Sequence, residues 1–298
     1  MDFKQLESFV MLAKLRNFSK AAEKLYLTQP TISNHINNLE RDLDTLLFNR
    51  SNKKVSLTQA GEILLNHALS ILNERDQALF SLGQFQGEII GTLEIASSSI
   101  PERYLLTELL CKFSEAYPNV QYNILRFDTK QVIDKLLSGE VDFGIVGSKR
   151  EKSQLIYKEI FDDEIVLIAP PQGKYKKIKS LAPASLYDYR MILREEGSGT
   201  RKTMEEQLKN NELDPAKLNV VAYMENTETI KEVVKKGMGM SFVSKRAVLD
   251  ELNSGELIEI QVDGMHMERS FYFVFHKKMM LSPLSDKFKD FVLKAIKK

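Results

Sequence analysis

The spacing of apolar residues changes near Gly91 from a helical period to short extended runs, and a chain patterned this way folds as unlike units in series. Downstream, TLEIA (92–96), VQYNIL (120–125), DFGIVG (142–147), IVLIA (165–169), VVAYM (220–224) and MSFVS (240–244) read as strands. Helical patterns lie between several of them, such as residues 104–117, with Leu105, Leu106, Leu109, Leu110 and Phe113 on one face, and residues 200–210. Strands alternating with helices imply βαβ units and parallel sheet. The roughly 200 residues after Gly91 are long for one such unit, and Pro170-Pro171 is expected to mark the crossover between two.

Upstream of Gly91 the period is helical. Leu6, Phe9, Val10 and Ala13 share one face. Ser19 is expected to cap a second helix that turns Ala21, Ala22 and Leu25 inward. After a break at Leu27-Thr28, Pro30 suits the first turn of a third helix, whose apolar stripe is Ile32, Ile36, Leu39 and Leu43. Its outer face carries Pro30, Asn34, Asn37, Asn38 and Arg41, flanked by Thr31 and Ser33. Two helices, a short turn and an amide-faced helix make a helix-turn-helix, which lays its second helix in the major groove. Amides alone also fit an ordinary solvated helix. Residues 46–58 then read as a hairpin with a polar tip at 51–54, placed where a wing would lie along phosphates. Thr58 opens a long helix to about Gln86, on which Leu65, Ala68, Leu72, Leu79 and Leu82 form a seam suited to a dimerising linker.

Composition removes several classes. The chain has 298 residues, 42 Lys+Arg against 41 Asp+Glu, and 43% hydrophobic residues, which fits about two well-filled domains and excludes a wholly disordered chain. No apolar run approaches the ~20 residues that span a bilayer. The N-terminal sequence lacks the apolar core of a secretory signal. These features point to a cytoplasmic protein. Residues 1–60 carry nine basic side chains against six acidic ones, with Arg50, Lys53 and Lys54 together, a cluster that also reads as a solvated loop. The four histidines form no metal-ligand spacing, and neither GxSxG nor a P-loop is present. Cys111 falls in an apolar helical pattern and is expected to be a buried thiol. No enzyme and no cofactor is expected.

Binding is better supported. Ser97-Ser98-Ser99 follow the first strand and precede a helix, and Glu195-Glu196-Gly197-Ser198-Gly199-Thr200-Arg201 repeats the arrangement after 191–193. Thr129 and Asn226-Thr227 open helices after two further strands. Free N–H groups at a helix start beside hydroxyls make an anion site, and ligands of open parallel sheets lie at the carboxyl ends of strands. Each Ser or Thr also serves as a plain N-cap. Ser98 and the GSGT turn stand apart, because Gly197 and Gly199 let backbone approach a ligand closely. Arg201 lies one residue into its helix and is weighted lower.

Phe18-Ser19-x-Ala21-Ala22-x-x-Leu25, Thr28-Gln29-Pro30-Thr31-x-Ser33, Leu39-Glu40, Leu47-Phe48-x-Arg50 and Leu57-Thr58-x-Ala60-Gly61 resemble the LysR-type transcriptional regulators. Ala116-Tyr117-Pro118, Gly139-Glu140-Val141-Asp142-Phe143-Gly144-Ile145 and Val234-x-x-Gly237-x-Gly239-Met240 resemble their effector-binding domain. The resemblance implies a winged helix-turn-helix (1–58), a linker helix (59–88) and an α/β effector domain (89–298). That domain would hold two periplasmic-binding-protein-like subdomains, I at about 89–165 and 270–298 and II at about 166–269, with the last helix returning to the first. It further implies double-stranded promoter DNA and a small-molecule effector as partners, and a homotetramer assembled from homodimers, the dimer itself being expected on the linker seam at Leu65, Leu72 and Leu79. Gln29, Pro30, Thr31, Ser33 and Asn34 would meet DNA from the recognition helix, with Arg50 and Lys53 on the wing. Members often carry Arg where Asn34 stands, which removes the usual basic contact. Ser98, Ser99, Thr129, Ser198, Gly199 and Thr200 would line the cleft. The GSGTR turn resembles members governing sulfur or related oxyanion metabolism, so the effector is expected to be an oxyanion such as sulfate or a sulfur-metabolism intermediate. The rival is a solute-binding protein without a transcriptional role, which leaves residues 1–88 without a purpose.

Overall fold

The computed structural model describes residues 1–49, 55–86, 88–277 and 281–295. Three helices open the chain: α1 (Phe3–Leu15), α2 (Phe18–Lys24) and α3 (Gln29–Asp42). Phe9, Leu12, Ala21, Ile32, Ile36 and Leu39 are fully buried between them. Two expectations change. Asn17, not Ser19, caps α2 by accepting from the Lys20 amide, because Arg16 has already turned left-handed and leaves Asn17 extended. Leu43 leaves the apolar stripe, since it ends α3 as its C-cap and is exposed.

A hairpin of β1 (Phe48–Asn49) and β2 (Ser56–Leu57) follows, with Phe48 opposite Leu57. Thr58 then caps α4 (Gln59–Phe85) by accepting from Gly61 N. Helix α4 does not carry one seam. Leu65, Ala68 and Leu72 pack on the N-terminal core, because that three-helix unit is too small to cover its own apolar side. Phe80 packs instead on the core of the next domain. Leu79 and Leu82 face solvent, with Ile63, Ile71 and Phe85 also exposed.

The remaining chain builds two sheets through shared strands. The first unit holds β3 (Gly91–Ser98), α5 (Ser99–Pro101), a π-helical turn (Glu102–Leu106), α6 (Thr107–Ala116), β4 (Val120–Phe127), α7 (Thr129–Ser138) and β5 (Phe143–Val146). Helix therefore starts five residues before the expected 104, carried through the π-turn. Strand β6 (Leu155–Ala169) leads into β7 (Ser180–Leu181), β8 (Arg190–Arg194), α8 (Gly199–Asn210), β9 (Asn219–Met224), α9 (Thr227–Lys235), β10 (Met240–Ser244), α10 (Leu249–Ser254) and β11 (Ile258–Val262). Strand β12 (Glu268–His276) returns, and α11 (Pro283–Ala295) buries Phe288 and Val292 in the first unit's core.

The strand order is β4-β3-β5-β12-β6-β10-β8-β9. β3 pairs parallel with β4 and β5, and β8 parallel with β9 and β10. Strand β6 makes the crossover: its residues up to Glu164 pair with β12, and from Ile165 onward it pairs with β10. Pro170-Pro171 lie just past that strand and not at the crossover, because a continuous 15-residue strand carries the chain between units. Cys111 is exposed, on the outer face of α6, so the expected burial does not hold.

Candidate functional site

The amide face of α3 is built as the sequence spacing dictates. Thr28 caps the helix through Thr31 N, and the Gln29 Nε2 donates to Ser33 Oγ at 2.9 Å. Gln29, Pro30, Asn34, Asn37 and Arg41 are exposed, with Thr31 and Ser33 half-buried beside them. His35 turns inward, its Nδ1 lying 2.7 Å from the buried Ser8 hydroxyl. The hairpin is fixed to this helix by Glu40, a residue to which the motif reading gave no role. Its buried carboxylate accepts from Leu47 N (2.8 Å) and Phe48 N (3.2 Å). Arg50 and Lys53 lie outside the described residues.

In the second half, the loops at the carboxyl ends of β3, β5 and β8 converge on one cleft. The structure brings together Ser98, Ser99 and Thr129 from the first unit with Ser198, Gly199 and Thr200 from the second. Asp2, Asn17, Thr28, Thr58, Asp128 and Asn226 each cap their helix through a side chain. Ser98 and Ser198, at the two helix starts that face each other here, do not. Ser98 Oγ instead accepts from Gly147 N at 3.1 Å. Close approach is built in at Gly199, where a Cβ would sit 2.9 Å from Ser148 Oγ and 3.2 Å from Thr129 Oγ1. Gly197 has a φ of +102°, and a Cβ there would meet the Asp128 carboxylate at 2.7 Å.

Two buried arginines flank these hydroxyls, and the motif reading missed both. Arg194 ends β8 and grips Glu195 with Nε and Nη2 (2.7 and 2.8 Å), reaching Thr227 Oγ1 at 3.2 Å and Ser99 Oγ at 3.1 Å. Arg269 lies on β12 opposite Asp163 of β6, so it sits on the crossover itself. Its Nε donates to Asp163 Oδ2 (2.8 Å) and its Nη1 to Thr200 Oγ1 (3.0 Å). Burial pulls the Arg269 guanidinium below its ordinary pKa, against the pull of Asp163. Arg201 points away, pairing with Glu205 and covering the Tyr223 ring.

The inner cleft is closed to about 10 Å³, the room of about one water. Beyond Ser99 it opens into a chamber of about 230 Å³ lined by Arg103, Tyr104, Arg126, Asn226, Thr227 and Glu228. Tyr104 donates to Glu228 at 2.8 Å across this chamber. Burial and that carboxylate push the Tyr104 phenol up. Burial also raises the Glu228 pKa, but bonds from Lys231 and Tyr104 outweigh it and hold the carboxyl below its usual range. A hollow of about 670 Å³ between α1–α2 and the first sheet is a poorer candidate, since most of its charges already pair, as in Lys24–Glu94 at 3.2 Å. Among the described residues no group of His, Cys, Asp and Glu could hold a metal ion, and no helix is long and apolar enough to cross a membrane.

A family model described as the LysR substrate binding domain matches residues 86–297, and one described as the bacterial regulatory helix-turn-helix protein, lysR family, matches 3–62. The chain belongs to the LysR family of transcriptional regulators. As a LysR-type regulator it pairs a DNA-binding helix-turn-helix with a domain for a small-molecule effector. It is 31% identical to a probable RuBisCO transcriptional regulator of Porphyra purpurea, over 97% of this chain and 92% of that one. It is 28% identical to the CysL regulator of Bacillus subtilis, over 94% and 92%. Its fold resembles full-length OxyR of Pseudomonas aeruginosa (TM-score 0.68, 22% identity, 100% and 95% covered). It also resembles the regulatory domain of Synechocystis CcmR in complex with 2-PG (TM-score 0.63, 25% identity, 70% and 98% covered). The family assignment gives the N-terminal unit its purpose and removes the solute-binding rival.

Proposed function

We propose that this LysR-type regulator is a cytoplasmic, non-catalytic DNA-binding protein that reads promoter DNA with the α3 face and responds to a small anionic effector in the cleft. One observation carries the effector half: two helix starts without side-chain caps meet at a spot ringed by Ser98, Ser198, Thr200 and Arg269. Unpaired N–H groups at the positive end of a helix, with hydroxyls and a guanidinium beside them, favour an anion. The complex of the similar CcmR regulatory domain with 2-PG supports a small-molecule ligand for this domain. An oxyanion such as sulfate, or a short organic acid bearing one, suits the donors best. The DNA half rests on Gln29, Pro30, Thr31, Ser33 and Asn34, with Arg50 and Lys53 as phosphate contacts. Dimers form through the solvent-facing side of α4, including Leu79, and pair into tetramers.

Calorimetry on the full-length protein with sodium sulfate, against sodium chloride at matched ionic strength, tests the cleft. Thr200→Val and Ser98→Ala each remove a hydroxyl from the site, and losing one charge-assisted hydrogen bond costs about 1.5–3 kcal/mol, about ten- to a hundredfold in affinity. Equal sulfate affinity in wild type and both variants would place the effector elsewhere.

A further inference from the structure

Resting on the anion-cleft reading, we propose that Arg269, the arginine of the crossover strands, is the residue that recognises the effector's charge, with the Ser148 hydroxyl as its partner donor. A guanidinium offers five N–H donors. Arg194 has committed its fork, both arms to Glu195 and the rest to Ser99 and Thr227. Arg269 has not. Its Nη2 lies 2.7 Å from Asp163 Oδ2 but is not aligned for a hydrogen bond, and it has no other partner although buried. Asp163 Oδ1 is engaged by Ser244 at 2.7 Å, and of the two N–H groups on Arg269 Nη2 the one directed away from Asp163 has no acceptor. Ser148, 8% exposed, presents a buried hydroxyl with no partner against Gly199, the first residue of α8.

Buried polar groups are nearly always satisfied, so a cluster of unsatisfied donors marks the place of an acceptor. Ser148, Arg269 Nη2 and the uncapped start of α8 are all donors, and the acceptor they share is an anion: a carboxylate, sulfate or phosphate. The Thr200 hydroxyl, held by Arg269 Nη1 at 3.0 Å, occupies the edge that such a group would take. An anion on Arg269 therefore comes between the guanidinium and Thr200, whose hydroxyl then donates to the anion, and so parts the second unit from a strand that joins both. That ties occupancy of the cleft to the crossover without any contact outside it.

The test uses full-length protein, with sodium sulfate and, separately, sodium phosphate and sodium acetate as probes, read by thermal shift and calorimetry. Ser148→Ala deletes an unsatisfied buried hydroxyl, so it should fold with a melting temperature equal to or above wild type. It should nevertheless bind the preferred anion about tenfold more weakly, a combination that a structural hydroxyl would not give. Arg269→Gln alone strands the Asp163 charge, so the paired variant Arg269→Gln/Asp163→Asn is used, which removes both charges together. It should fold and lose about a hundredfold in anion affinity. The three probes separate a tetrahedral oxyanion from a carboxylate ligand. If Ser98→Ala and Thr200→Val lose the anion while Ser148→Ala and the paired variant keep it, the role of Arg269 is overturned and the cleft reading stands. If wild type binds none of the probes, both fall.

Discussion

Single residues do most to hold the DNA-reading surface in shape. At Gly61 a Cβ would lie 2.2 Å from the carbonyl oxygen of Leu47, a backbone atom that cannot give way. Gly61→Ala should therefore destabilise the N-terminal unit by about 1–3 kcal/mol or more, measured by urea unfolding, because the hairpin has to leave α4. An unchanged midpoint would mean that the Leu46-Leu47 turn is softer than the two bonds it accepts from Thr58, at the Leu46 and Leu47 carbonyls, suggest. Glu40 works alongside it: the Leu39-Glu40 motif is a structural device that pins β1 to α3 through two backbone N–H groups. In the proposed reading, base reading and phosphate contact separate by side-chain type. Asn34 is an exposed amide on α3, so Asn34→Ala should flatten preference among operator sequences. Arg50→Ala or Lys53→Ala should weaken all duplexes about equally and lower the salt slope by about one for each lost contact. Binding isotherms at several salt concentrations tell these apart, and a wing variant with altered base preference would reverse the assignment.

At the scale of elements, the helical signals were legible and their neighbours were not. The 3–4 spacing of α4 was correct, but sequence spacing does not say what covers each face. Leu65, Ala68 and Leu72 cover the chain's own first core, while Leu79 and Leu82 remain exposed at 61% and 60%. If the proposed dimer is held by this face, Leu79→Asp should dissociate it at micromolar concentration while the monomer stays folded, since a charge is costly only where a partner buries it. Leu72→Asp should unfold the N-terminal unit. Sedimentation velocity with circular dichroism checks both, and a dimeric Leu79→Asp would move the interface off this helix. Strand β6 was half legible for a related reason. IVLIA, buried in the second unit, reads as a strand, whereas residues 155–164 include Lys158, Glu159, Asp162, Asp163 and Glu164 and conceal their pairing with β12. Two of the missed site residues lay in that pattern. Asp163 keeps the buried phase of Ile165 and Leu167, and Arg269 that of Phe271 and Phe273, so a charge in step with core residues was the available signal.

For the whole molecule, the question is what closes the two α/β units on each other. The contacts across the cleft are polar and local: Tyr104 to Glu228 (2.8 Å), Arg194 to Ser99 (3.1 Å), and Lys202 to the Lys149 carbonyl (2.7 Å). Sequence motifs located the two walls, Ser98 and the GSGT turn, because glycine and hydroxyl positions are local. They could not show the clasp, whose partners lie up to 124 residues apart. With only about 10 Å³ in the inner cleft, a bound oxyanion requires a wider arrangement than this one. Each contact that favours the closed form therefore competes with the effector, and a ligand gains whatever the closed form loses. Tyr104→Phe keeps the ring and removes the hydroxyl that Glu228 accepts. A neutral-to-charged hydrogen bond of this exposure is worth about 0.5–1.5 kcal/mol, so anion affinity should rise about two- to tenfold, with faster association. Small-angle scattering of the full-length variant should show a slightly larger radius of gyration. A lower anion affinity in Tyr104→Phe would mean that the tyrosine hydroxyl serves the ligand itself and that the closed clasp belongs to the bound form.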